Sequence, residues 1–395
     1  MRQEKLRGWN RSISDVVKAL KPSKIREMTL LASSMEGVIS LAIGEPDFHT
    51  PTEVCEKALR DAMEGATHYA PSQGDPELLE ELERYLQGRY GLPIAKGNLL
   101  ITAGGMGALT AIFRTVLNPG DEVLVPEPHF PEYMAHVELA GGRLLRVPTE
   151  VEEGYALRPE EVRKRITSKT KVLLLNSPNN PTGSVLEGDV LDELATIALE
   201  ADLLVVSDEV YDRLIFDERR HESIVTRPGM FQRTVVIGSF SKAFAMTGWR
   251  LGYAFGPPDI IEEMTKVVTY YTSCASSVSQ RAALAALRTS QKFADEMREE
   301  FQRRRDLVYG ALTDIPGVKV NRPAGAFYIF PSLEALIEDG HEFALRLLEK
   351  ERVAVVPGEP FGPSCKRCVR IAFTLKRELL FEAMERIKRF VKANY

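Results

Sequence analysis

The chain has 395 residues, 44% hydrophobic and 27% charged, with 51 basic against 56 acidic side chains and a net charge of −5. That length predicts two domains of about 100–200 residues each, and that composition excludes a disordered chain, a fibre and a disulfide-stapled scaffold. The slight acidic excess offers no basic face to nucleic acid, and no apolar run reaches the ~18 residues that a membrane span needs.

The first dozen residues, MRQEKLRGWNRS, carry charge throughout and lack the apolar stretch of a secretory signal. With only four cysteines in the chain, the expected setting is reducing and cytoplasmic. ISLAIGEPDF, at 39–48, predicts a short strand running into a turn. Beyond it, short apolar runs recur at 99–102, 122–125, 144–147, 172–175, 203–207, 235–237 and 251–255. Several are nearly continuous branched aliphatics, such as LLVV at 203–206, the pattern of strands covered by helices on both faces. Helical periodicity lies between them, at 108–117 and 191–201, and Asn118-Pro119-Gly120 stops the first of these. This alternation predicts an α/β fold with a doubly wound, mainly parallel sheet.

After about residue 290 the character changes. A long charged helix is predicted over 291–312, short strands near 318–320, 326–330, 353–356 and 368–373, and helices at 341–350 and 377–393. These form a second, smaller α/β unit, with which the segment before residue 49 is expected to pack. The expected division is therefore discontinuous: a large domain over 49–288, and a small domain made of 1–48, with its N-terminal arm, and 289–395.

Five segments carry candidate chemistry. Lys242, in SFSKAFAMTGWRLGY, follows the strand TVVIG, with Ser239 before it and Arg250 after it. Strand C-termini are where open sheets bind ligands, a lysine of lowered pKa is a nucleophile toward carbonyls, and Ser with Arg suits an anion. Asp208 ends the apolar strand of LLVVSDEVYDRL, where a carboxylate needs a cation or a donor. Tyr211 stands three residues on, one helical turn away, and Asp208 as a helix N-cap is the competing reading. TAGGMGAL at 102–109 places two glycines between a strand and a helix, an arrangement that can cradle phosphate. NSPNNPTG at 176–183 suits a constrained turn in which Asn180 points its amide at a ligand and the Asn180-Pro181 bond is a candidate cis peptide. Arg370, in CVRIAF, puts a charge on an apolar strand; it needs either a substrate carboxylate or an internal salt bridge. Cys365 and Cys368 form a lone CxxC with no histidine or second pair nearby, read as two thiols flanking a surface Lys-Arg turn, so no metal is expected.

Taken together and in order, NNPTG, SDEVY, SxSKxxxMTGWRxGY, PAGAFY and PGEPFG…VRIAF resemble the fold-type I, class I/II aminotransferases that depend on pyridoxal 5′-phosphate. The resemblance implies a large domain with a mostly parallel seven-stranded sheet between helices, plus a smaller α/β domain. It implies that Lys242 holds the cofactor covalently, that Asp208 pairs with the pyridine nitrogen, and that Tyr211 and Asn180 bond the ring's phenolic oxygen. Gly105 and Met106 would offer backbone amides to the phosphate, Ser239 and Arg250 would complete its cup, and Phe130, in EPHFPEY, would stack on the ring. Arg370 would clamp the substrate α-carboxylate, with Asn180 and the Gly44 backbone nearby. Tyr69, in THYAPSQG, would reach the phosphate of a neighbouring subunit, which implies a homodimer with shared active sites.

The implied activity is ping-pong transfer of an amino group from an L-amino acid to a 2-oxo acid, with 2-oxoglutarate the expected acceptor. Met106 stands where some aspartate-using relatives carry a lysine for the distal carboxylate, so a broad, neutral or aromatic donor range is expected. Tyr270 or Tyr271, in TYYTSCASSVSQ, would shape the pocket near a subunit boundary. A C–S or C–C lyase using the same cofactor is the alternative, and a ligand-sensing regulatory module a remoter one.

Overall fold

A computed structural model describes residues 13–20 and 22–395. Residues 1–12 of the expected N-terminal arm lie outside the described residues.

The strands, in chain order, are β1 (Ile39–Ser40), β2 (Leu99–Thr102), β3 (Glu122–Glu127), β4 (Arg143–Pro148), β5 (Thr170–Asn176), β6 (Leu204–Asp208), β7 (Thr234–Ser239), β8 (Gly252–Phe255), β9 (Tyr328–Ile329), β10 (Val353–Ala354), β11 (Val356–Pro357) and β12 (Val369–Ala372). Seven of them form one sheet in the order β2-β8-β7-β6-β5-β3-β4. Only β8 runs against its neighbours; β7, β6, β5, β3 and β4 are parallel. The alternation of side chains along β5 explains its unbroken apolar sequence. Val172 and Leu174 pack against Ala108, Ile112 and Phe113 of the helix Gly104–Val116. Leu173 and Leu175 face the other way, onto Leu191, Leu194 and Ala198 of the helix Gly188–Glu200. Each face has its own helical layer, so neither needs polar residues. The parallel strands all end at one edge, and Asn176, Asp208 and Ser239 are the last residues of β5, β6 and β7.

The second unit holds a three-stranded antiparallel sheet, β11-β12-β9, and the parallel pair β1-β10. Its core joins Ile39 and Leu41 from the N-terminal segment to Met297, Phe301, Leu347, Ile371 and Ile387. The helices Gln291–Thr313, Gly340–Glu351 and Arg377–Asn394 enclose it.

The strands of this unit are shorter than the sequence predicts. Residues 318–320 form no strand, only a single bridge from Lys319 to Ser332 after the turn at Gly317, whose φ is +82°. In 326–330 only Tyr328 and Ile329 pair as strand, because Ala326 sits at φ +57° and the backbone just before it bonds elsewhere. There, Ala324 and Gly325 both donate to Gly183 O, and Ala326 donates to Leu214 O. The run 353–356 is split at Val355: residues before it pair with β1 and those after it with β12. Cys365 and Cys368 are buried, so the Lys366-Arg367 turn faces outward while both thiols point inward, where burial pushes the Cys368 thiol up to about 11 and Cys365 higher still.

Candidate active site

The site is built at the carboxyl edge of the sheet. Asp208 leaves β6 with 4% exposure, and its Oδ2 accepts a 2.6 Å hydrogen bond from Tyr133 Oη. The Val210 N–H lies at 3.3 Å from Oδ1. No helix follows, since residues 210–213 form a turn, so Asp208 is not a helix N-cap. Burial pushes its carboxyl up to about 6, with the Tyr133 hydroxyl opposing. A protonatable group sits there, poised for a cationic partner that would keep it ionised.

One strand away, Asn176 braces both β6 and the loop beyond β5. Its amide donates to Asp208 O at 3.0 Å, and its Oδ1 accepts from Asn180 N at 2.8 Å. This holds the NNPTG loop, in which the Asn180-Pro181 bond is cis. Asn180 Oδ1 in turn accepts from Arg370 Nη1 at 3.1 Å.

At the end of β7, Ser239 caps the short helix Phe240–Ala243 that presents Lys242. The Lys242 ammonium donates to Gly44 O at 2.7 Å. Burial pulls it down to about 8; Glu45 opposes, while Arg250 and Arg370 add to the fall. Gly44 must lack a side chain, because a Cβ there would lie 2.0 Å from Tyr328 Oη.

Beside Lys242 is an anion cradle. The helix Gly104–Val116 begins directly after β2, so its first amides, including those of Gly105 and Met106, have no acceptor within the helix. Arg250 lies against this terminus: a Cβ on Gly104 would meet Arg250 Nη2 at 2.8 Å. On the other side, a Cβ on Gly252 would strike the Gly104 carbonyl carbon at 2.7 Å, so β8 and the helix start approach backbone to backbone. Partial positive charge, a guanidinium and the Ser239 hydroxyl thus converge on one small volume.

Arg370, on β12, completes the set. It is 2% exposed, donates to Ala42 O at 2.7 Å and to Asn180 Oδ1, and stacks on Tyr328 with 4.5 Å from guanidinium carbon to ring centre. Among the described residues no carboxylate lies within salt-bridge distance of it, and its buried Nε has no partner. The internal salt bridge weighed from the sequence is therefore absent there. A buried cation bonded only to neutral oxygens leaves room for an incoming anion.

One cavity joins these residues. Lys242, Asp208, Tyr211, Asn180, Ser239 and Arg250 line it, as do Gly44, Gly105, Met106, Phe130 and Arg370. Tyr69 is the exception: it is 89% exposed and outside the cavity wall. Tyr270 and Tyr271 are also exposed and take no part in that wall. Sequence reasoning missed Tyr133, although it lies only three residues from Phe130. It also assigned no role to Tyr328, whose hydroxyl is 3.0 Å from that of Tyr211, although PAGAFY was recognised as a motif.

The profile of the aminotransferase class I and II family matches residues 36–387. The chain belongs to that family. It is 42% identical to an aspartate aminotransferase of Pyrococcus abyssi over 384 residues, covering 96% of this chain and 98% of that one. It is 40% identical to aromatic-amino-acid aminotransferase 2 of Thermococcus litoralis over 384 residues, covering 96% and 98%. The solved aspartate aminotransferase of Thermus thermophilus with maleate superposes with a TM-score of 0.91 at 40% identity, over 95% of this chain and 99% of that one. The protein is thus an enzyme of the fold-type I architecture, and its reaction is transamination, which in this family depends on pyridoxal 5′-phosphate. Among the described residues, no helix of the aminotransferase is long and apolar enough to cross a membrane.

Proposed function

We propose that this aminotransferase takes the amino group of an L-amino acid with a neutral or aromatic side chain and passes it to a 2-oxo acid, on pyridoxal 5′-phosphate held at Lys242. Residues 49–288 form the cofactor-binding unit in this reading, and 1–48 with 289–395 the smaller one.

The observation that carries the reading is the buried Arg370 guanidinium, without a carboxylate partner among the described residues, in the same cavity as the part-buried Lys242 amine. Every amino acid and 2-oxo acid presents a carboxylate beside the reacting carbon, and Arg370 is the group to receive it. The cradle of Gly105, Met106, Ser239 and Arg250 fits a phosphate, and the space at Gly104 that a Cβ would fill against Arg250 supports that fit.

When bound, the cofactor supplies an electron sink for the charge left on the substrate α-carbon. Lys242 Nζ would hold it covalently and, once free, would move the substrate α-proton, as base and afterwards as acid. A value near 8 puts that nitrogen close to the working pH, where it can do both. Asp208 would hold a proton on the pyridine nitrogen by offering it a carboxylate, which Tyr133 orients. Tyr211 and Asn180 would bond the phenolic oxygen, Phe130 would stack on the ring, and Arg370 with Gly44 would orient the substrate so that the bond to be broken is presented correctly. Met106 and Leu109 give the side-chain region an apolar wall, which supports neutral and aromatic donors.

The assembly in this reading is a homodimer with shared sites. Tyr69, Tyr270, Tyr271, Leu59 and Met63 are large apolar or aromatic side chains left exposed, and a second copy would cover them and bring Tyr69 to its phosphate. The test is a panel of amino donors with 2-oxoglutarate, pyruvate or oxaloacetate, each run with and without acceptor. Acceptor-dependent release of the donor's oxo acid is expected. Acceptor-independent release of pyruvate and ammonia would replace transamination by lyase chemistry.

A further inference from the structure

Glu132 lines the cavity that contains Lys242 and Arg370, yet neither cofactor binding nor the α-carboxylate clamp employs it. It stands in the first turn of the helix Glu132–Leu139, next to Tyr133. Its Oε1 accepts a long hydrogen bond, 3.4 Å, from Ser23 Oγ. Its Oε2 is buried and has no partner among the described residues. No cation among the described residues lies within salt-bridge distance of it. The same cavity wall also carries the apolar side chains of Ile25, Met106, Leu109 and Phe130. A buried carboxyl oxygen left without a donor is unfavourable until one arrives, and a substrate side chain growing away from Arg370 is the group that can bring one. Burial pushes this carboxyl up; its own backbone N–H opposes the rise, followed by Arg370 and the Ser23 hydroxyl.

We propose that Glu132 determines substrate specificity: it favours amino acids whose side chain ends in a hydrogen-bond donor, and it disfavours those that end in a carboxylate. The inference rests on the transaminase reading of the same cavity, and it makes a 2-oxo acid without a distal carboxylate a better acceptor than the 2-oxoglutarate expected from the sequence. Its physical content is an asymmetry. An amide or hydroxyl reaching Oε2 forms a charge-assisted hydrogen bond in a poorly hydrated pocket. A distal carboxylate at the same place meets a like charge while Arg370 is already engaged with the α-carboxylate. Together these give a discrimination of about 10- to 100-fold.

Glutamine and glutamate are the probe pair, since they match in length and shape and differ in the terminal group. The holoenzyme is assayed with each, and with alanine, using pyruvate (or, for alanine, 2-oxobutyrate) as acceptor, so that no acceptor carries a distal carboxylate. Wild type is expected to show a kcat/KM for glutamine at least about 10-fold above that for glutamate. In Glu132→Gln the ratio should fall to within about 3-fold or invert, mainly through KM, because a neutral amide can donate to a carboxylate. Glu132→Ala, with the cofactor absorbance as a check that the site is assembled, should also erase the preference. A ratio equal in wild type and both variants, or a wild-type preference for glutamate, overturns the role of Glu132 and leaves transamination standing. Absence of acceptor-dependent turnover with every donor removes both.

Discussion

Lys242→Met removes a buried charge while keeping the length and most of the volume of the side chain. Burial holds the Lys242 ammonium at about 8, against 10.5 for an ordinary lysine. At about 1.4 kcal/mol per pKa unit, the folded apoprotein bears roughly 3 kcal/mol of unfavourable charge burial at neutral pH. The side chain keeps some exposure, and solvent screening reduces that to about 2 kcal/mol. The variant also leaves Gly44 O without its 2.7 Å donor, a loss of up to about 1 kcal/mol. The Met variant of the apoprotein should therefore be about 1–2 kcal/mol more stable than wild type at pH 7, although it turns over no substrate. The sign follows from proton binding. Below about pH 8 both folded and unfolded wild type hold the proton, and the penalty is complete. Between about 8 and 10.5 only the unfolded chain holds it, so wild-type stability climbs with pH and the variant's advantage shrinks. Urea unfolding of both apoproteins at pH 7 and pH 10, at equal protein concentration, measures this. A variant less stable than wild type at pH 7, or an advantage unchanged at pH 10, would refute the claim that Lys242 is held as a destabilised amine.

Two further expectations concern the site. Arg370→Ala should raise KM about 100-fold for all α-amino acids by a similar factor, with a much smaller change in cofactor affinity; steady-state kinetics with three chemically different donors checks this, and a loss confined to one donor would mean that Arg370 reads side chains. Tyr133→Phe removes the 2.6 Å donor to Asp208 and should push that carboxyl above its present value of about 6, weakening cofactor binding by about 10-fold at pH 6 and less at pH 8. Titration of the apoprotein with cofactor at both pH values decides it, and equal affinities of variant and wild type would show that Asp208 does not depend on Tyr133.

How much could be read before folding differs between parts of the molecule. The apolar runs of the inner strands are local signals, because a strand sealed by helices on both faces has little room for polar residues; all seven strands, the half-exposed edge strand β4 included, emerge where the sequence predicts them. The strands of the smaller unit are governed by distant partners instead. Gly183 O draws in the amides of Ala324 and Gly325, which shortens the strand expected over 326–330. The CxxC pair turns inward for a similar reason, since the backbone of 358–368 closes on itself through Gly358 N to Cys368 O.

The chemistry divides along the same line. Sequence alone determined the types: a lysine and an aspartate at the ends of two buried strands, glycines before a helix, and an arginine on an apolar strand, because each is placed by its own element. Only the tertiary structure decided their relations. Arg370 is 190 positions from Asn180, and Tyr133 is 75 from Asp208. That Arg370 lacks a carboxylate partner among the described residues, that Asp208 has its donor, and that Glu132 is left over beside them depends on how separate segments pack. Side-chain periodicity reports which way a residue faces, whereas the identity of what it faces is set by contacts between segments far apart in the chain.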